Sequence, residues 1–86
     1  MSLTVESLSA LFPSDENGNV CHFAYDSDLG KYVGDVVNRE FRGLSVAERQ
    51  RRIWDRIRES FGSDLQEISL VLAFSPEEYV EAMDAA

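Results

Sequence analysis

Few residues in this chain have the types and spacing for chemistry. The single cysteine and the single histidine, Cys21 and His22, are neighbours. A thiol and an imidazole work as nucleophile and base only when both reach the same point, and successive side chains on a strand point to opposite faces. Nor do the two make a structural zinc site, which takes four ligands, although a partner protein can complete such a site. Asp26-Ser27-Asp28-Leu29-Gly30 spaces two carboxylates as a calcium loop begins, but it lacks the third oxygen ligand and the closing glutamate. It reads as a hairpin turn, and Asp15 to Asn19 reads the same way. There is no Gly-x-Ser-x-Gly elbow and no phosphate-binding glycine loop. The chain is expected to be a binding module and not an enzyme.

The arginines offer more. Arg42, Arg49, Arg51, Arg52, Arg56 and Arg58 crowd a short stretch, and Arg49, Arg52 and Arg56 fall at three- and four-residue steps along one helix side. Guanidinium groups grip phosphate or carboxylate in a bidentate manner, so nucleic acid or an acidic protein surface fits them. Pairing with Glu48, Asp55 and Glu59 on the same helix would account for them without any ligand. The net charge of −8 opposes nucleic acid as a whole. That average hides a segregation: residues 1–30 and 59–86 carry twelve acids and no Lys or Arg, while all eight bases lie between Lys31 and Arg58. The simplest reading is a solvated helix face balancing acidic neighbours.

The elements that must position these groups follow from periodicity. Val5, Leu8, Leu11 and Phe12 predict a first helix from about Thr4 to Pro13, and Ser14 to Asn19 is a turn. Val20 to Tyr25 and Lys31 to Val37 predict two antiparallel strands joined by the Asp26–Gly30 turn. Ser45-Val46-Ala47-Glu48 is a Ser-x-x-Glu capping box that opens a long helix. Val46, Ile53, Trp54, Ile57 and Phe61 form its apolar stripe, and Gly62 ends it. Trp54 thereby reads as core. Ile68, Leu70, Leu72 and Phe74 alternate with Glu67, Ser69, Val71 and Ala73, predicting a strand whose first set is the apolar face. Ser75-Pro76-Glu77-Glu78 launches a last helix through Met83.

The order is α-β-β-α-β-α: an α+β class with three strands, its helices expected on one sheet face and the other face left open for binding. With 86 residues there is room for one domain, residues 1–86, burying only about 60% of its unfolded surface. Met1 to Leu3 read as an expression remnant and carry no argument. One cysteine excludes an internal disulfide and points to a reducing compartment, with the cytoplasm as the expectation. No run of apolar residues is long enough for a membrane span, and no basic-then-apolar leader is visible.

Asn38-Arg39-Glu40-Phe41-Arg42-Gly43, followed after five residues by Arg49-Gln50-Arg51-Arg52-Ile53-Trp54, resembles the BolA-like family, the stress-induced morphogen type. Members carry Phe-x-Gly, then an Arg-His-Arg-type helix with a Val/Ile-aromatic pair. Phe41, Gly43, Arg49, Arg51, Ile53 and Trp54 match that pattern, and Ser75-Pro76-Glu77-Glu78-Tyr79 is similar to the family's Thr-Pro-Glu-Glu-Trp ending. The resemblance spans about residues 31 to 80. It implies a class II KH-like fold and a non-enzymatic partner of monothiol glutaredoxins in iron–sulfur and redox homeostasis, sharing a 2Fe–2S cluster, or in some members a DNA-binding transcription regulator. Arg49, Gln50, Arg51, Arg52 and Glu67 are then the partner-binding set. Glu67 stands about where the family's cluster-ligating histidine falls, and Gln50 replaces the helix-motif histidine. A carboxylate is a harder ligand than imidazole and matches such a cluster less well. Cys21, His22 and Glu67 are the candidate metal ligands. The alternative ligand is nucleic acid, bound by Arg42, Arg49, Arg51, Arg52, Arg56 and Arg58, without the Gly-x-x-Gly clamp of true KH domains. Alone, the chain is expected to be a monomer.

Overall fold

The computed structural model describes residues 3–85; Met1, Ser2 and Ala86 lie outside them. Helix α1, Val5–Leu11, precedes strands β1, Val20–Asp26, and β2, Lys31–Val37; a 3-10 turn, Arg39–Phe41, leads to helix α2, Val46–Phe61, and a second, Gly62–Glu67, to strand β3, Ile68–Phe74, and helix α3, Pro76–Ala85. The predicted α-β-β-α-β-α order is the observed one. The three strands lie in sheet order β1-β2-β3, with β1 antiparallel to β2 and β3 parallel to β2. Parallel neighbours need a long crossover, and α2 supplies it.

The capping residues explain where the helices start. Thr4 and Ser7 satisfy each other's amides at the head of α1, with Ser7 N–H donating to Thr4 Oγ1 at 3.0 Å and Thr4 N–H to Ser7 Oγ at 2.9 Å. At α2, Ser45 Oγ accepts from Glu48 N–H at 3.2 Å, but the predicted box is one-sided. Arg51 and Arg52 lie beside the Glu48 carboxylate and draw it away.

The core lies between the sheet and the pair α1 and α2, where Leu8, Val36, Phe41, Ile53, Ile57 and Val71 are essentially sealed from solvent. Each such side chain contributes about 1.5–3 kcal/mol of burial. Leu3 joins them at 5% exposure, and its carbonyl accepts from the Tyr32 hydroxyl at 2.9 Å, so that residue belongs to the fold and not to a remnant. Val46 departs from the predicted stripe: in the first turn of α2, it is 75% exposed.

Two corrections concern the sheet faces. Tyr32 pairs with Ile68 but Val33 pairs with Leu70, so β3 carries one extra residue at Ser69. A bulge of this kind breaks the alternation. Ile68 and Val71 face the core, while Leu70 and Leu72 are turned outward and are 52% and 46% exposed. The helices, moreover, do not share one face. Only Ser75 separates β3 from α3, and the Tyr79 ring comes back over the opposite face to stack on His22 at 6.1 Å and meet Phe74 edge-on at 5.7 Å. Val37 on that face is sealed at 2% exposure. Among the described residues, no helix is long and apolar enough to cross a membrane.

Gly34 and Gly43 test two separate backbone constraints. A Cβ on Gly34 would lie 2.5 Å from the His22 carbonyl oxygen and 2.5 Å from Phe23 Cδ1, whereas Gly43 has open space around it but a φ of +75°. Gly34→Ala should destabilise by about 2 kcal/mol or more through overpacking, and Gly43→Val by about 1–2 kcal/mol through backbone strain alone. Urea unfolding checks both, and an unchanged midpoint in either would reject the constraint assigned to that glycine.

Candidate functional site

The motif helix divides into a side that holds the fold together and a side that faces solvent. Arg49 lies one turn before Ile53 and is only 9% exposed. Its Nε donates to the Leu44 carbonyl at 3.0 Å, and Nη1 and Nη2 reach the two Glu78 carboxylate oxygens at 2.5 and 3.2 Å. Gln50 Nε2 donates to the Val71 carbonyl at 2.8 Å, and Gln50 Oε1 accepts from Trp54 Nε1 at 2.9 Å. Two of the five predicted partner-binding residues are thus spent on the interior. Trp54 packs half-buried against the core, as its place in the apolar stripe predicts.

Arg51, Arg52 and Glu67 remain exposed. Arg51 lies 3.6 Å from Glu48, and Arg52 lies 3.8 Å from Glu48 and 4.0 Å from Glu40. Arg42 is paired with Glu77, its Nε at 3.0 Å from Glu77 Oε2. Arg58 donates to Asp55 at 2.9 Å, and Arg56 sits over the Phe12 ring at 5.4 Å with Nη1 directed to the Leu11 carbonyl. All six arginines of the nucleic-acid set therefore have an intramolecular partner. Glu40, Arg52, Asp55, Arg56 and Glu59 line a shallow, charged depression of about 270 Å³.

The three candidate metal ligands are not brought together. Cys21 pairs with Val36 on the core side of the sheet, and its thiol donates weakly to the Ser9 carbonyl at 3.7 Å. Burial pushes that thiol's pKa up, which keeps the sulfur protonated and a poor ligand. His22 faces the other way. Its Nδ1 lies 2.9 Å from Asp35 Oδ1, so Nδ1–H donates to the carboxylate. Glu67 ends the 3-10 turn before β3, beside the Tyr32 end of the sheet, whereas His22 pairs with Asp35 three residues along, about 10 Å away by strand rise. Among the described residues, no three His, Cys, Asp or Glu side chains gather as a metal site would need. The carboxylates of the two turns are likewise committed: Asp26 Oδ1 accepts from the amides of Asp28 and Leu29, and Asp15 Oδ1 from those of Asn17 and Asn19.

Sequence reasoning missed Asp35 and Tyr79 beside His22, and missed what Glu78 does. Its carboxylate accepts from Ser75 N–H at 2.7 Å, closing a Ser-x-x-Glu box at the head of α3, and it also carries the Arg49 pair, a contact between residues far apart in the chain. No family model matches the chain, and neither does any curated protein.

The Arg49 guanidinium, and after it the Ser75 amide, hold the Glu78 carboxyl at about 2 instead of 4.5. The folded-state value is the lower one, so this stabilisation is present above about pH 4.5 and is lost as pH falls toward 2. Glu78 is half exposed, and screening limits the contribution to about 1 kcal/mol. Glu78→Gln should be less stable than the parent at neutral pH, and the gap should close between pH 4.5 and 2 when urea midpoints are followed. A gap independent of pH would show that the charge is not what matters.

Proposed function

We propose that this chain is a BolA-like interaction module, a non-enzymatic regulator that docks onto a monothiol glutaredoxin in iron–sulfur homeostasis. The observation that carries this reading is the agreement between the motif and the fold: Phe41 is buried, Gly43 has the positive φ of a turn, and Arg49 and Ile53 are buried in the helix that crosses from β2 to β3. Element order agrees with the order that the resemblance implies. The solvent side of the same motif supplies the docking surface, namely Arg51 and Arg52 with Glu67 at the head of β3.

Cluster sharing is the weaker half of the family's function here. Cys21 is turned inward, and Glu67 offers a hard carboxylate where the family places imidazole. The chain therefore docks without contributing a ligand. The nucleic-acid alternative draws no support from the arginines, whose guanidinium groups already have partners.

The test is anaerobic mixing with a 2Fe–2S-loaded monothiol glutaredoxin, followed by size-exclusion chromatography and visible circular dichroism. Co-elution with an unaltered cluster spectrum is expected for the parent chain, a changed spectrum for Glu67→His, and weaker co-elution for Arg51→Ala combined with Arg52→Ala. Failure of the parent chain to co-elute would overturn the reading.

A further inference from the structure

On the face of the sheet opposite the core, three rows run across the strands: Ala24, Val33 and Leu70; His22, Asp35 and Leu72; Val20, Val37 and Phe74. Tyr79 meets Phe74 of the third row and stacks on His22 of the second. The first row and the β3 end of the second stay open, with Leu70 at 52% and Leu72 at 46% exposure. Leu70, Leu72 and Phe74 form one line along β3, and through the Phe74–Tyr79 contact that line continues onto α3. Met83 lies one turn beyond Tyr79 on the same helix side, and Val80 is beside it; they are 62% and 57% exposed. Isolated exposed apolar residues are ordinary on a protein surface, but a contiguous set is not.

The charge around this surface is mostly negative. Asp26, Asp35, Glu81 and Asp84 lie on these strands and this helix, and Glu81 and Asp84 take part in no salt bridge among the described residues. Among the bases near them, His22 lies 2.9 Å from Asp35, Arg42 is paired with Glu77 in the first turn of α3, and Lys31, at the far end of the face, donates from Nζ to the Gln66 carbonyl at 2.9 Å. All seven arginines are in or just before α2. The edge of β3 is partly closed, because Gln50 and Arg49 from α2 reach the Val71 and Ala73 carbonyls. That disfavours strand addition there and leaves the face. A second copy of this chain would bring the same acids against themselves.

We propose that this face, formed by Ala24, Val33, Leu70 and Leu72 with Val80 and Met83 of α3, docks a cationic amphipathic helix of a partner protein. Its apolar stripe covers the two leucines, and its Lys or Arg residues meet Asp35, Glu81 and Asp84. This surface lies on another side of the molecule from Arg51 and Arg52, and the proposal stands or falls independently of the glutaredoxin reading.

The probe is a fluorescein-labelled leucine–lysine amphipathic peptide of about 14 residues, roughly 21 Å as a helix, titrated into the full chain and followed by anisotropy and by amide chemical shifts. Saturable binding is expected, with shifts at Val33, Asp35, Leu70, Leu72 and along α3, and no binding of the leucine–glutamate counterpart. Leu70→Ser with Leu72→Ser should weaken binding by about tenfold, as loss of apolar contact at two leucines predicts. Should that pair disturb folding, Glu81→Lys with Asp84→Lys, both on the exposed side of α3, should weaken it as well, while Arg51→Ala with Arg52→Ala should leave it unchanged. No saturable binding, shifts confined to α2, equal binding by folded leucine and charge variants, or self-association through Leu70 and Leu72 would each overturn the proposal.

Discussion

A guanidinium withdrawn from water has five donors to satisfy, and in this protein one such group connects three elements. Arg49 donates to the carbonyl that precedes α2, lies within 3.4 Å of the Ala73 carbonyl on β3, and grips Glu78 on α3. Glu78 in turn accepts the Ser75 amide that begins α3. The last strand and the last helix are therefore fastened to the crossover helix by one side chain. Its desolvation is offset because every contact is a hydrogen bond to a carbonyl or a carboxylate. Among the described residues, no buried side-chain polar atom lacks a partner.

Once Arg49 is seen as a tie within the fold, the motif around it takes on a different meaning. Phe41 and Ile53 fill the core, Gly43 makes a turn that favours glycine, and Gln50 caps an edge carbonyl of β3 while holding the Trp54 indole. Gln50 thus makes two hydrogen bonds of an ordinary structural kind. The buried residues of this segment therefore serve the architecture, and Arg51 and Arg52 between them face solvent.

The helix ends were legible because local chemistry decides them: Thr4, Ser45 and Ser75 offer a side-chain oxygen to a free amide of the first turn, Pro76 stands at a first position that needs no N–H, and Gly62 closes α2 with a φ of +58°. What the sequence concealed is tertiary. The bulge at Ser69 leaves no mark on an alternating pattern, so Leu70 and Leu72 read as core when Val71 holds that place. The position of α3 was hidden for a related reason, since nothing in Ser75-Pro76 says which face Tyr79 will reach. At the candidate site, the alternation that separates Cys21 from His22 was legible, whereas the pairings of Arg49 with Glu78 and His22 with Asp35 were not.

The segregation of charge along the chain becomes a segregation in space because α2 lies on one side of the sheet and α3 reaches the other. The arginines of α2 are largely neutralised by acids of their own helix and of the turn before it, including Glu40, Glu48 and Asp55. On the other side, Asp35 is paired with His22, Glu77 with Arg42 and Glu78 with Arg49, while Glu81 and Asp84 at the end of α3 take part in no salt bridge among the described residues. Neutralisation is thus uneven, and acids without a base lie on the helix that borders the apolar row which the β3 bulge turned outward. Two features unrelated in sequence, a one-residue insertion in a strand and the last two acids of α3, border one surface. Apolar contact there can supply affinity while charge selects the sign of what approaches.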